Sequence, residues 1–301
     1  MCREAQNQKI TPAPNADNIA LVLVTYYPDF QVKAAVKVAV SQFSQVIVVD
    51  NTPDPELVRH LVQGLGVSLL SNGVNVGLGK ALNQGCHAAI AAQFEWVVTL
   101  DQDSLMQMDF LQCQVSCWAA AADKPFMLGC NFWNRGKGAM SPRFPIGRRY
   151  QECKTVITAG ALMHLGVWRE LGSFREDFFI DSLDHELCLR ARGKGFRVAR
   201  NGEILMSHSI GSGKQLRSWL PFEHSSRRKY TSTRNTVRTI LEYGLREPSW
   251  AFKKIAGIFY EAIAVLLLEP HKAEKLKAMG VGLADGIRNR LGPPSARFDR
   301  V

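Results

Sequence analysis

The chain has 301 residues, 46% hydrophobic and 21% charged, which excludes a disordered, collagen-like or low-complexity protein. Its formal net charge is +10, and by itself that points to a nucleic-acid or membrane-surface partner. The charge is uneven: residues 1–186 hold 15 Lys and Arg against 18 Asp and Glu, and residues 187–301 hold 22 against 9, so one uniform polyanion-binding face is not expected.

Residues 1–18 are polar and read as a loose tail without a signal peptide. Ile19–Thr25 is a solid run of apolar and β-branched residues, the pattern of a strand buried on both faces. The spacing of Val32, Ala35, Val36, Ala39 and Val40 predicts a helix over Gln31–Phe43. Val46–Val49 predicts a second buried strand, Pro55–Leu65 a helix and Val67–Leu70 a third strand. Leu78–Gln93 follows as an Ala-rich helix and Glu95–Leu100 as a fourth strand. Strand and helix alternate, so the class is α/β with a parallel sheet and right-handed crossovers.

Asn131–Glu152 is rich in Gly, Pro and Arg and reads as a long surface loop. Asp184–Lys194 predicts a helix, and Phe196–Ala199 and Ile204–Met206 two short strands. From Ser225 onward the pattern is helical and basic. Tyr243–Leu268 reads as one aromatic and aliphatic helical stretch with Lys253 and Lys254 among its polar positions, followed by Ala273–Leu291. The longest apolar run, Ile255–Leu268, contains Glu261 and is shorter than the roughly 20 residues a bilayer requires. The seven cysteines show no zinc-site spacing and read as reduced thiols.

In open parallel sheets, ligands gather at the carboxyl ends of the strands. The polar residues there are Thr25, Asp50, Asn51, Asp101 and Asp103. Asp101-x-Asp103 supplies two carboxylates at one strand end, suited to a hard divalent cation that bridges a diphosphate. The Gly-rich run from Ser71 to Gly85 is not a P-loop, because five residues separate Gly73 from Gly79 and Ala81 follows Lys80. It reads either as a plain turn into a helix or as a nucleotide-pocket wall carrying Asn75, Gly77 and Lys80. No GxGxxG follows the first strand, which removes the main support for a dinucleotide-binding domain. Asp184, at a predicted helix start, is either a cap or a general base. Glu186 and Arg190 stand four apart as a helical ion pair, and His208 is either structural or a metal ligand.

Taken in order, VTYYP, VIVVDNTPD, NVGLGKALNQG, VVTLDQDS, TAGALM, FFIDSLDHELCLRARGKGF and SHSIG resemble glycosyltransferase family 2, which is built on the GT-A nucleotide-sugar-binding fold. The resemblance runs from about Ile19 to Gly211, and the FIDxxDxExCLRxRxKG and HSIG runs with the Thr233-Arg234-Asn235 triplet are most similar to the bacterial rhamnosyltransferase branch. It implies a Rossmann-like, mostly parallel sheet flanked by helices, with a basic helical region at the C-terminus. The implied division is a flexible tail over 1–18, a transferase domain over 19–224 and a basic helical region packed on it over 225–301.

The resemblance also implies roles. Thr25 and Asp50 would contact base and ribose, with Asn75, Gly77, Lys80 and Asp101 nearby. Asp101 and Asp103, joined by His208, would hold a divalent cation, Mg or Mn. Asp184 would be the general base, although Leu183 stands before it where the family carries an acid, and whether Asp181 supplies that carboxylate is open. Arg190 would orient acidic partners or contact phosphate.

The implied activity is inverting transfer of a deoxyhexose, L-rhamnose from dTDP-L-rhamnose, onto a growing lipid-linked polysaccharide of the O-antigen kind. The enzyme would be cytoplasmic and peripheral at the inner face of a bacterial membrane, with the basic helices on anionic lipid. Family 2 transferases for galactofuranose, hexose or N-acetylhexosamine from UDP share the pattern. A nucleotidyltransferase would need a Gly-rich basic motif just after the first strand, which VTYYPDF lacks. A non-enzymatic nucleic-acid binder would carry a recognition module, and none is visible, so no nucleic-acid partner is expected.

Overall fold

A computed structural model describes residues 10–134, 139–141, 149–208 and 224–294. Parts of the tail, of the Asn131–Glu152 loop and of the HSIG run, Gly211 included, lie outside the described residues.

The first half follows the predicted alternation. Strand β1 (Ile19–Thr25), helix α1 (Gln31–Val40), β2 (Gln45–Asp50), α2 (Pro55–Val62), β3 (Ser68–Ser71), α3 (Leu78–Ala91) and β4 (Trp96–Asp101) alternate along the chain. All seven β1 residues are buried, as a central strand covered on both faces requires. β1 pairs in parallel with β2 and with β4, and β2 with β3. The register sets Thr25 beside Asp50 and Val24 beside Asp101, so three strand ends share one edge.

The second half of the sheet is mixed rather than parallel. After β5 (Ser104–Met106) and α4 (Phe110–Ala120) come β6 (Met127–Asn134), β7 (Ala139–Ser141), β8 (Tyr150–Glu152) and β9 (Ala161–His164). Helix α5 (Leu165–Leu171), α6 (Leu183–Gly193) and β10 (Val198–His208) complete this half. The strand order is β3-β2-β1-β4-β9-β6-β10-β5, with β7 on β6 and β8 on β10. β9 runs antiparallel to both β4 and β6, and β5 antiparallel to β10. The two short strands predicted after Gly195 are one strand. Register shifts between Arg200, Ile204 and Met206 mark the irregular middle of β10 and split its apolar pattern.

Part of the expected tail is packed. Ile10 is buried, Trp96 Nε1 donates to the Pro12 carbonyl at 2.8 Å, and the Asn15–Asn18 turn leads into β1.

The C-terminal region is three helices, α7 (Ser226–Tyr243), α8 (Pro248–Leu268) and α9 (Lys272–Ile287). The predicted Tyr243–Leu268 stretch is therefore broken at residues 244–247, with Pro248 at the start of α8, where its missing N–H costs nothing. α7 and α9 approach closely: a Cβ on Gly282 would stand 2.6 Å from the Tyr230 carbonyl. Among the described residues, no helix is long and apolar enough to cross a membrane.

Candidate functional site

A cleft of about 800 Å³ opens over the carboxyl ends of β1 and β4. Its walls include Thr25, Asn51 and Asn75 from the first half-sheet and Asp101, Gln102, Asp103 and His208 from the centre. Asp181, Asp184 and His185 come from the entry to α6, Arg228 and Thr236 from α7, and Lys254 from α8.

At the first wall, Thr25 Oγ1 and Thr52 Oγ1 both donate to Asp50 Oδ1, at 2.8 and 2.7 Å. Asp50 is fully buried behind Thr25, and its Oδ2 has no hydrogen-bond partner. Such an orphan acceptor is costly unless a ligand or water satisfies it. Asn75 Oδ1 accepts from the Gly77 N–H at 3.0 Å and shapes the turn into α3. Gly77 has φ +90°, and a Cβ there would stand 2.7 Å from the Phe179 ring. The Leu78 N–H donates to the Phe179 carbonyl at 2.6 Å, so this helix start is closed by protein. Gly77 thus acts on the turn and does not line the cleft, and Lys80 is exposed and lies outside the lining.

At the centre, Asp101, Asp103 and His208 each present a ligand atom, all within 4.8 Å of one another. β10 delivers the histidine: its antiparallel register with β5 sets His208 against Ser104. His208 Nδ1 lies 2.8 Å from Ser104 Oγ and 3.1 Å from Asp103 Oδ1. Gln102, between the two carboxylates, bonds both the N–H and the carbonyl of Tyr26 and pins the turn to the end of β1. Burial pushes Asp101 up to about 6; His208 opposes the shift, and Asp103 and Asp184 add to it. Two carboxylates and an imidazole form a donor set suited to a divalent cation, whose charge would favour ionised Asp101.

The third wall is a loop under backbone strain. Phe179, Asp181 and Ser182 have φ of +66°, +67° and +62°, costing about 1–2 kcal/mol each for residues with a Cβ. α7 holds it there. Asn235 Nδ2 donates to the carbonyls of Ile180, Phe178 and Asp181 at 2.7, 2.9 and 3.1 Å, and Arg234 Nη2 donates to Phe178 at 3.1 Å. The Arg-Asn pair of the triplet is thus a clamp on the loop that precedes Asp184. Asp181 is occupied: Arg228 Nε donates to Oδ1 at 3.3 Å and Thr231 Oγ1 to Oδ2 at 2.8 Å. Asp184 lines the cleft, with Oδ1 accepting from the His185 N–H at 2.7 Å. Burial holds His185 down at about 4, hence neutral near pH 7, although Asp184 pulls the other way.

Arg190 is not brought to the cleft, which corrects its expected catalytic role. Its guanidinium donates to Glu186 Oε2 at 2.8 Å, to the Leu171 carbonyl at 2.8 Å and to the Ser173 carbonyl at 2.6 Å. Tyr243 Oη donates to the other Glu186 oxygen at 2.6 Å. Glu186 and Arg190 face inward together and tie α6 to the α5 turn and to α7.

Gln102, His185, Arg228, Asn235 and Lys254 belong to the cleft or its supports, although sequence reasoning did not select them individually. The Thr233-Arg234-Asn235 triplet was a signal for Asn235. Arg228 lay in the Arg227–Lys229 cluster, whose charge pointed to the donor diphosphate; the other three carried no distinguishing pattern.

Residues 31–127 match the model of glycosyl transferase family 2. The dTDP-rhamnosyl transferase RfbF of Shigella flexneri is 27% identical over 291 residues, covering 91% of this chain and 97% of that protein. Among solved structures, S. aureus TarS superposes with a TM-score of 0.57 at 13% identity, over 94% of this chain and 50% of TarS. A structure of GalNAc-T7 with UDP, GalNAc and Mn2+ gives 0.54 at 12% identity, over 93% of this chain and 59% of that one. At these identities the solved structures speak for the fold alone, and the chain spans about half the length of TarS.

Proposed function

Taking the chain as a family 2 glycosyltransferase with a GT-A sheet, we propose that it moves L-rhamnose, with inversion, from dTDP-L-rhamnose onto a growing lipid-linked polysaccharide. The observation that carries this reading is the meeting, in one cleft, of the Asp101–Asp103–His208 group with Asp184 from a different element. Similarity to a dTDP-rhamnosyl transferase along nearly its whole length supports the sugar.

Inverting transfer is one displacement at the anomeric carbon. The acceptor hydroxyl must lose a proton, and the departing diphosphate gains charge. Asp101, Asp103 and His208 would hold a divalent cation, Mg or Mn, which supplies charge neutralisation at the diphosphate. Thr25, with Asp50 behind it, meets the base and ribose, and Asn75 borders the same end of the cleft. Asp184 takes the acceptor proton; the His185 N–H, donating to its Oδ1, holds the carboxylate in place. Arg228, near Asp101, adds positive charge on the donor side.

The expected result for Asp184→Asn is a fall in transfer of about 10²–10⁴-fold, the usual worth of a general base, with dTDP binding kept. Full activity would remove the base assignment. Thermal shift with dTDP, UDP and GDP, each with and without Mn2+, tests the donor: the largest stabilisation is expected from dTDP with metal, and a preference for UDP would redirect the sugar.

The finer placement is peripheral, on anionic lipid at the inner face of the membrane. α8 supports it by exposing Phe252, Ile255, Phe259, Ile263, Leu266 and Leu267, while its one acid, Glu261, turns inward to Lys229. An apolar face without outward acids, beside exposed lysines, suits a lipid interface. Sedimentation with anionic vesicles is expected to pull down the protein at low salt and less at high salt. Equal recovery with neutral vesicles would refute the electrostatic part.

A further inference from the structure

Two of the strong bases lining the cleft differ in what they face. Arg228 is paired with Asp181, and its charge reaches Asp101 on the donor side. Lys254 comes from α8 and stands near Asp184 and His185. Among the described residues no carboxylate lies within 4 Å of its Nζ. Its Nζ stands over the face of Trp250, 5.7 Å from the ring centroid, and Trp250 in turn meets the His185 ring nearly perpendicularly at 6.1 Å.

A partly desolvated ammonium with no carboxylate at ion-pair distance among the described residues is expensive, and burial holds the Lys254 amine below its ordinary range while Asp184, farther off, opposes the shift. A tryptophan face compensates only in part. Arg228 and the Asp101–Asp103–His208 group stand together on the donor side, whereas Lys254 stands near Asp184. What lies beside a general base is the acceptor.

We propose that Lys254, beside the cleft-lining His185 and backed by the buried Trp250, is the acceptor-recognition group of the cleft and binds an anionic group, phosphate or carboxylate, on the acceptor. This rests on Asp184 being the base. It makes the C-terminal helices part of the active site, since α8 carries Lys254 on its cleft side and the apolar residues Phe252, Ile255 and Phe259 on its exposed side. A phosphate joined to an alkyl chain would find both on one helix, and a carboxylate on a sugar would use Lys254 alone.

Calorimetric titration of the full chain, loaded with dTDP and Mn2+, tests it with three probes: octyl phosphate, methyl glucuronide and the neutral octyl glucoside. At least one anion is expected to bind tenfold or more tighter than the neutral probe. Lys254→Met should abolish that preference, Lys254→Arg should keep most of it, and dTDP affinity should be the same in all three proteins. Preference for octyl phosphate assigns a phosphate, and preference for the glucuronide a carboxylate. If neither anion is preferred, or if Lys254→Met binds it as tightly as the parent chain, the assignment is overturned. Should dTDP fail to bind with Mn2+, the donor reading fails by itself; the anion titrations, repeated without nucleotide, still decide Lys254.

Discussion

The residues that support the site are as informative as those that line it. Asn235 is fully buried and does not line the cleft, yet its amide holds three carbonyls of the strained loop that carries Asp181 and precedes Asp184. Asparagine suits the position because one side chain offers donors to the loop while its Oδ1 accepts from Arg234 Nε at 2.9 Å. Asn235→Ala would leave the Ile180 and Asp181 carbonyls without this donor, while Phe178 keeps Arg234, at a cost of about 2–3 kcal/mol. Urea unfolding should show that loss, and transfer should fall at least tenfold because Asp184 is no longer held. Unchanged activity would mean the loop keeps its shape without the clamp. Arg190 teaches the converse. A basic residue in a run that resembles a catalytic motif was expected either to orient acidic partners or to contact phosphate, and its guanidinium bonds Glu186 and two carbonyls away from the cleft. An i, i+4 spacing with Glu186 is equally that of a buried strut, and only the direction of the helix face separates the two.

At the scale of elements, part of the charge of the basic C-terminal region is used inside it to join its helices. Lys229 on α7 is fully buried and bonds Glu261 on α8 and Glu269 beyond it, each at 2.9 Å; Lys275 on α9 reaches Glu269, also at 2.9 Å. One ionic cluster therefore joins the three helices. Breaking a buried pair on one side strands the other charge and costs about 3–5 kcal/mol. Lys229→Met is expected to destabilise the protein by that amount, whereas pairing it with Glu261→Gln and Glu269→Gln should recover part of the loss, both read by urea unfolding. The alternation of strands and helices up to Asp101 was legible because each buried strand is a continuous apolar run. The β9 strand was not, since ALMH is four residues long and its antiparallel direction depends on partners far away in sequence. β10 was divided for a similar reason, its bulged middle interrupting the apolar pattern.

For the whole molecule, acid stability combines opposing groups. His185 titrates near 4 in the fold against 6.5 for an unperturbed imidazole. Between those values the unfolded chain binds a proton that the folded chain does not. The His185 contribution is therefore complete above pH 6.5 and is lost as pH falls toward 4. Asp101 acts oppositely: raised to about 6 from 3.8, it binds its proton sooner in the folded state and favours folding as pH falls through that interval. The net curve mixes the two, so the informative measurement is a difference. His185→Phe should lose less stability than the parent chain between pH 6.5 and 4, with parallel curves above pH 7. Curves parallel throughout would show that His185 is not held neutral.

By itself the sequence determined the α/β class, the shared edge of Thr25, Asp50 and Asp101, and the candidate acids and histidine. These depend on local periodicity and on motifs whose spacing survives without coordinates. Tertiary structure decided which of those residues face the cleft. It turned Arg190 and Glu186 inward, left Lys80 outside, occupied Asp181 with Arg228 and Thr231, and brought Lys254 from the last third of the chain to stand near Asp184. The physical reason is range. A strand end or a helix start is set by neighbours a few residues away, whereas the direction of a side chain and its counter-ion are set by packing between elements that the chain order keeps far apart.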